Sequence, residues 1–134
     1  ETEINNFQRY ISKIEGVHWL VPFAPSHQKE VWGIVEGKGS LFELSEKDLQ
    51  SLAIGISKTV SYYEDEGNTF TFALLSSPDI GVGDYFSAQI RLCARPAFKS
   101  LYSNFDTWFN PMFVGDDVHT QSPEEYGNNL KKYF

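Results

Sequence analysis

The run Val17-His18-Trp19-Leu20-Val21-Pro22-Phe23-Ala24-Pro25 is densely apolar, breaks at two prolines, idles through Ser26-His27-Gln28-Lys29, and resumes with Glu30-Val31-Trp32-Gly33-Ile34-Val35. A helix would lose a backbone donor and clash at each proline. Two strands joined by a connector accommodate them, so the pattern predicts strands over 18–23 and 30–35, with a weaker first strand over 7–14. Gly37-Lys38-Gly39-Ser40 reads as a loop. The period then changes. Ser45-Glu46-Lys47-Asp48 has the form of a capping box, with Asp48 in place of the usual Glu at N3. Leu49, Leu52, Ala53, Ile56 and Val60 follow at helical spacing, which predicts one helix over 45–63 with those residues as its apolar stripe.

Beyond the acidic turn Glu64-Asp65-Glu66-Gly67-Asn68, residues 69–75 return to strand, and 76–84 form a long loop holding Pro78, Gly81 and Gly83. Residues 85–94 alternate most cleanly. Phe86, Ala88, Ile90, Leu92 and Ala94 point one way, and Ser87, Gln89, Arg91, Cys93 and Arg95 point the other, so one face meets a core and the other meets water or a ligand. Residues 100–120 are aromatic without a clean period. Ser122-Pro123-Glu124-Glu125 opens a last helix whose stripe is Tyr126, Leu130 and Tyr133. Strands, a long helix, further strands and a terminal helix predict an α+β fold: an antiparallel sheet of about five strands covered on one side.

The 134 residues suit a single domain, 1–134, with enough chain to bury a core. Aromatics reach 16%, which favours strands and large buried areas. A net charge of −7 argues against a nucleic-acid groove, which needs clustered Lys and Arg, but leaves room for a local anion pocket. Cys93 is the single cysteine, so neither an internal disulfide nor a cysteine-rich zinc site is available, in keeping with a cytoplasmic setting. No apolar run approaches the ~20 residues of a membrane span, and no signal peptide is visible, so no membrane partner is expected. The chain starts at Glu1, which fits a domain cut from a longer protein.

His18, His27 and His119 show no ligand spacing, and Cys93 has no histidine near it in sequence. Gly81-Val82-Gly83 lacks the third glycine and following helix of a dinucleotide site. These features predict no metal, no cofactor and no catalytic residue. The polar face of residues 85–94 remains. Arg91 and Arg95, four residues apart and thus about 13 Å along a strand, share a side with Ser87 and Gln89 and, further on, Lys99. A guanidinium offers a planar fork suited to phosphate oxygens, so Ser87, Gln89, Arg91 and Arg95 are the candidate substrate-binding residues. Composition alone favours the plainer alternative, a solvated sheet face.

Trp19-Leu20-Val21-Pro22-Phe23-Ala24-Pro25, Glu30-Val31-Trp32, Leu44-Ser45-Glu46-Lys47-Asp48-Leu49 with Leu52-Ala53, and Ser122-Pro123-Glu124-Glu125 together resemble the C-terminal half of hexose-1-phosphate uridylyltransferases, such as those acting on galactose 1-phosphate. That resemblance implies the second of two histidine-triad-like repeats, each a sheet with a long helix on one side. It implies a protein that moves a nucleotidyl group between a nucleotide sugar and a sugar phosphate through a covalent nucleotidyl-histidine. The nucleophile of such enzymes lies in a His-Pro-His motif on the first repeat, and this chain has none. The second repeat often carries a His-x-His pair, where this chain reads Phe86-Ser87-Ala88-Gln89-Ile90-Arg91. The family's substrate segment falls on 106–114 and does not match residue for residue. The resemblance therefore implies a nucleotide-sugar- or sugar-phosphate-binding C-terminal domain, inactive alone, whose partner is an N-terminal repeat or a second copy. The alternative is an interaction domain that keeps only the fold.

Overall fold

The computed structural model describes residues 8–96 and 121–134. Five strands, β1 (Tyr10–Ile14), β2 (Val17–Leu20), β3 (Val31–Val35), β4 (Asn68–Leu75) and β5 (Gln89–Pro96), form one antiparallel sheet in the order β1-β2-β3-β5-β4. Among the described residues two helices, α1 (Glu46–Asp65) and α2 (Pro123–Leu130), accompany it, with a short 3-10 turn at Leu41–Glu43 before α1. The α+β expectation holds, as does the reading of the opening pattern: β2 ends at Leu20, the proline segment turns the chain, and β3 returns antiparallel beside it.

Ser45 caps α1, its hydroxyl accepting from the Asp48 N–H at 3.3 Å while the Asp48 carboxylate accepts from the Ser45 N–H at 2.7 Å, so the capping box forms with the shorter acid. The buried face of α1 departs from the predicted stripe. Leu52 is buried and Ile56 and Val60 are partly so, but Leu49 and Ala53 are exposed, and Ser51, Gly55, Thr59, Tyr62 and Tyr63 take their place. The reason is Trp19, fully buried between sheet and helix. Its indole fills the space above two glycines: a Cβ on Gly33 would come within 2.8 Å of the ring, and one on Gly55 within 2.0 Å. The helix thus turns its smallest residue to the core. Thr59 and Ser51 remain compatible with burial because their hydroxyls donate to the carbonyls of Gly55 and Lys47 at 2.9 and 2.7 Å.

Strand β5 starts at Gln89, later than the predicted residue 85; Tyr85 and Phe86 lie in the preceding loop and are exposed. Loop geometry takes over there because the Tyr85 and Phe86 N–H groups donate to the Val82 carbonyl. The alternation itself is as predicted. Ala88, Ile90, Leu92 and Ala94 are buried under α1 with Val17, Trp19, Val31 and Val35, while Ser87, Gln89, Arg91, Cys93 and Arg95 lie half-buried on the opposite, outer face. On α2, Tyr126 and Leu130 are buried and Tyr133 packs against the same core. Lys99, His119 and the region 100–120 lie outside the described residues.

Candidate functional site

The outer face is ordered by strand register. Leu20 pairs with Trp32, Trp32 with Arg91, and Arg91 with Ala73, so these side chains form one row across β2, β3, β5 and β4. The adjacent row runs Lys13, His18, Ile34, Gln89 and Leu75.

At the centre, the Arg91 guanidinium carbon lies over the Trp32 ring, 4.3 Å from its centroid, a cation–π contact. The Arg91 Nε–H donates to Gln89 Oε1 at 3.4 Å. Four other cations are paired with carboxylates: Arg9 with Glu124 at 2.8 Å, Lys13 with Glu36 at 2.6 Å, Lys29 with Glu66 at 3.0 Å, and Lys38 with Asp48. Among the described residues Arg91 has no carboxylate within ion-pair distance. A half-buried guanidinium with no carboxylate partner among the described residues is chemically able to receive an anion.

The four sequence-derived candidates are not brought together equally. Gln89 and Arg91 touch. Ser87 sits in the loop before β5, two residues from Gln89 on the same side. Arg95 lies further along the strand, its carbonyl accepting from the Thr69 hydroxyl at 3.4 Å.

Two residues that the sequence reading passed over as candidates adjoin Arg91, one directly and one through the first. Trp32 is the platform, and the buried Glu30 sets it, with Oε1 accepting from the indole Nε1–H at 2.6 Å. The available signal was the i, i+2 spacing of Glu30, just before β3, and Trp32 within it, beside an apolar run.

His18 needs a correction. No orienting partner is visible for it in sequence, yet the β1–β2 hairpin brings Tyr10 Oη within 3.0 Å of its Nδ1, and Glu36 Oε2 lies 3.6 Å from its Nε2. Burial lowers the His18 pKa, the Lys13 charge lowers it further, and Glu36 opposes both. Two strand spacings, roughly 10 Å, separate His18 from Gln89, with Ile34 between them. His27 lies in the connector, its Nδ1 4.0 Å from Glu30 Oε2.

The described residues do not fit a structural zinc or iron. Ser87 and Gln89 are poor ligands at the positions that matter, Cys93 stands apart from the histidines in sequence, and no group of three His, Cys, Asp or Glu able to hold a metal occurs among the described residues. Nor does Ser87 have a base in the described contacts to activate it. The arrangement can hold an anion; it has no visible covalent chemistry.

No protein-family model matches the chain, and no curated protein sequence matches it. Solved structures do. A uridylyltransferase superposes with a TM-score of 0.73 at 15% identity, covering 94% of this chain and 41% of that one. A uridylyltransferase mutant gives 0.72 at 16%, covering 94% and 42%. A Zn-bound histidine triad family protein from Mycobacterium smegmatis gives 0.53 at 10%, covering 92% and 81%. The chain has the histidine-triad-like, uridylyltransferase-related fold. It spans about two fifths of the uridylyltransferases it matches. Among the described residues no helix is long and apolar enough to cross a membrane.

Proposed function

We infer that the chain is a phosphorylated-ligand-binding domain of a hexose-1-phosphate uridylyltransferase-like protein, contacting a nucleotide sugar or sugar phosphate from its outer sheet face without supplying the nucleophile. The observation that carries this reading is Arg91: stacked on Trp32, steadied by Gln89, and without a carboxylate partner among the described residues. A guanidinium so held keeps its terminal N–H groups for two oxygens of one phosphoryl group. Ser87, in the loop before β5, and Arg95, further along the strand, extend the polar strip at either end. The fold relationship supports the ligand class, since a uridylyltransferase shares the architecture. The reaction itself would fall to an N-terminal repeat or a second copy, because neither the serine nor the glutamine at the expected histidine positions replaces imidazole as a nucleophile that both attacks and departs near neutral pH. A cytoplasmic setting suits the lone thiol of Cys93. Incubating the purified chain with labelled uridine diphosphate glucose and a hexose 1-phosphate tests the reading: reversible binding without label on the protein supports it, and covalent label or no binding contradicts it.

A second reading, an interaction domain without ligand, is favoured by one feature. Phe70, Phe72 and Leu74 on β4, which ends the sheet among the described residues, are 39%, 58% and 44% exposed, and such contiguous apolar surface marks association sites. Sedimentation of the chain with and without Phe72→Glu, together with failure to bind any nucleotide sugar, would favour this reading.

A further inference from the structure

We propose that Glu30 is a positioning residue for the anion site, acting on Arg91 only through the indole of Trp32. The proposal rests on the reading of Arg91 as an anion receptor.

Glu30 is 3% exposed, and a buried carboxylate is costly unless its oxygens are satisfied by donors. Here they are. Oε1 accepts from the Trp32 indole at 2.6 Å, and Oε2 accepts from the backbone N–H groups of Ser26 and His27 at 2.7 and 3.3 Å. The carboxylate is therefore engaged by three N–H donors and makes no ion pair with Arg91.

The segment bearing it is clamped from both helices. The Tyr126 hydroxyl on α2 donates to the Glu30 carbonyl at 3.0 Å, and the Tyr63 hydroxyl on α1 donates to the adjacent Lys29 carbonyl at 2.6 Å. Lys29 itself adopts a left-handed φ of 48° and pairs with Glu66. Such a local conformation persists when its surroundings over-determine it. A carboxylate held this firmly fixes the ring that donates to it.

That ring is the platform under Arg91. The χ2 torsion of tryptophan is otherwise broad. With the indole N–H tied to Glu30, the ring plane is set and its face meets the guanidinium at 4.3 Å. The chain of position runs from helices to connector, connector to Glu30, Glu30 to Trp32, and Trp32 to Arg91.

A double-mutant cycle tests it, with calorimetric titration of uridine diphosphate glucose as the binding readout and the indole N–H proton resonance of Trp32 (the one that disappears in Trp32→Phe) as the spectroscopic readout. Glutamine offers one acceptor oxygen where the site demands two, so Glu30→Gln releases either the indole or the connector. Glu30→Gln is expected to weaken binding about ten-fold and to move the Trp32 indole proton upfield, while in the Trp32→Phe background, where no indole N–H remains, Glu30→Gln causes no further loss. If Glu30→Gln does not fold, Glu30→Asp keeps both oxygens but withdraws them by one methylene, and the same cycle applies. An equal loss in both backgrounds, or an unmoved indole resonance, overturns the role of Glu30 while leaving the anion site standing. No binding by the parent chain overturns the anion reading, and this proposal with it.

Discussion

The indole of Trp19 occupies the space that a side chain at Gly55 would need. An added Cβ on α1 would sit 2.0 Å from the ring carbon Cε2 and 2.5 Å from Nε1, inside a fully buried contact. Helix propensity alone would favour alanine over glycine by about 1 kcal/mol, but nothing nearby is a flexible chain end that could give way.

Gly55→Ala is therefore expected to destabilise the fold by about 1–3 kcal/mol, the range for overpacking a filled core. Each kcal/mol lowers the Tm by roughly 3–5 °C in a chain of this length. Thermal unfolding followed by circular dichroism measures it, and a rise in Tm would mean that Trp19 can move.

That pair also shows what was legible in the residues. The start of α1 was readable because Ser45 and Asp48 satisfy backbone donors locally, and the two faces of β5 were readable because alternation depends only on the strand's own residues. The buried face of α1 was not: periodicity weighs hydrophobicity, whereas Gly55 is buried for its lack of volume and Thr59 because its hydroxyl folds back onto its own helix. Arg91 and Gln89 could be singled out from one strand. The contact of Trp32 with Arg91 and the partnering of His18 by Tyr10 could not, because each depends on register between strands that sequence spacing does not specify.

Asp48 should confer acid sensitivity. Burial raises its pKa, but hydrogen bonds from Lys38 and Ser45, with the Lys38 charge, outweigh that and bring it from 3.8 to about 2. A depressed folded pKa means stability that is fully present above 3.8 and lost as pH falls towards about 2. After screening this amounts to roughly 1–2 kcal/mol. Urea titrations from pH 5 to pH 2 should show a slope that Asp48→Asn reduces; identical slopes would remove the claim.

His18 acts in a different window. Its folded pKa lies below the usual 6.5, chiefly through burial, so the unfolded chain takes up its proton first as the medium is acidified. Stability is retained above 6.5 and declines as pH falls from there towards the lowered folded value. His18→Gln, which can still hydrogen-bond Tyr10 but does not titrate, should flatten the stability profile below pH 6.5. A direct check is the imidazole titration followed by NMR, where a midpoint at or above 6.5 would contradict the burial argument.

The purified chain should carry no tightly held zinc or iron, since no three His, Cys, Asp or Glu side chains converge on one point among the described residues, and a structural metal needs about four such ligands. Elemental analysis after a chelator wash is expected to give far less than one metal per chain. A stoichiometric metal that survives the wash would mean ligands recruited from residues outside those described.

The central claim is that Arg91, fixed on Trp32, receives a phosphoryl group, and calorimetry with uridine diphosphate glucose tests it most directly. A charge-assisted contact of this kind is worth roughly 1.5–3 kcal/mol. Arg91→Ala should therefore weaken binding about ten- to a hundred-fold while leaving the circular dichroism spectrum intact. Unchanged affinity in Arg91→Ala would contradict the account and return the outer face of the sheet to a solvated surface.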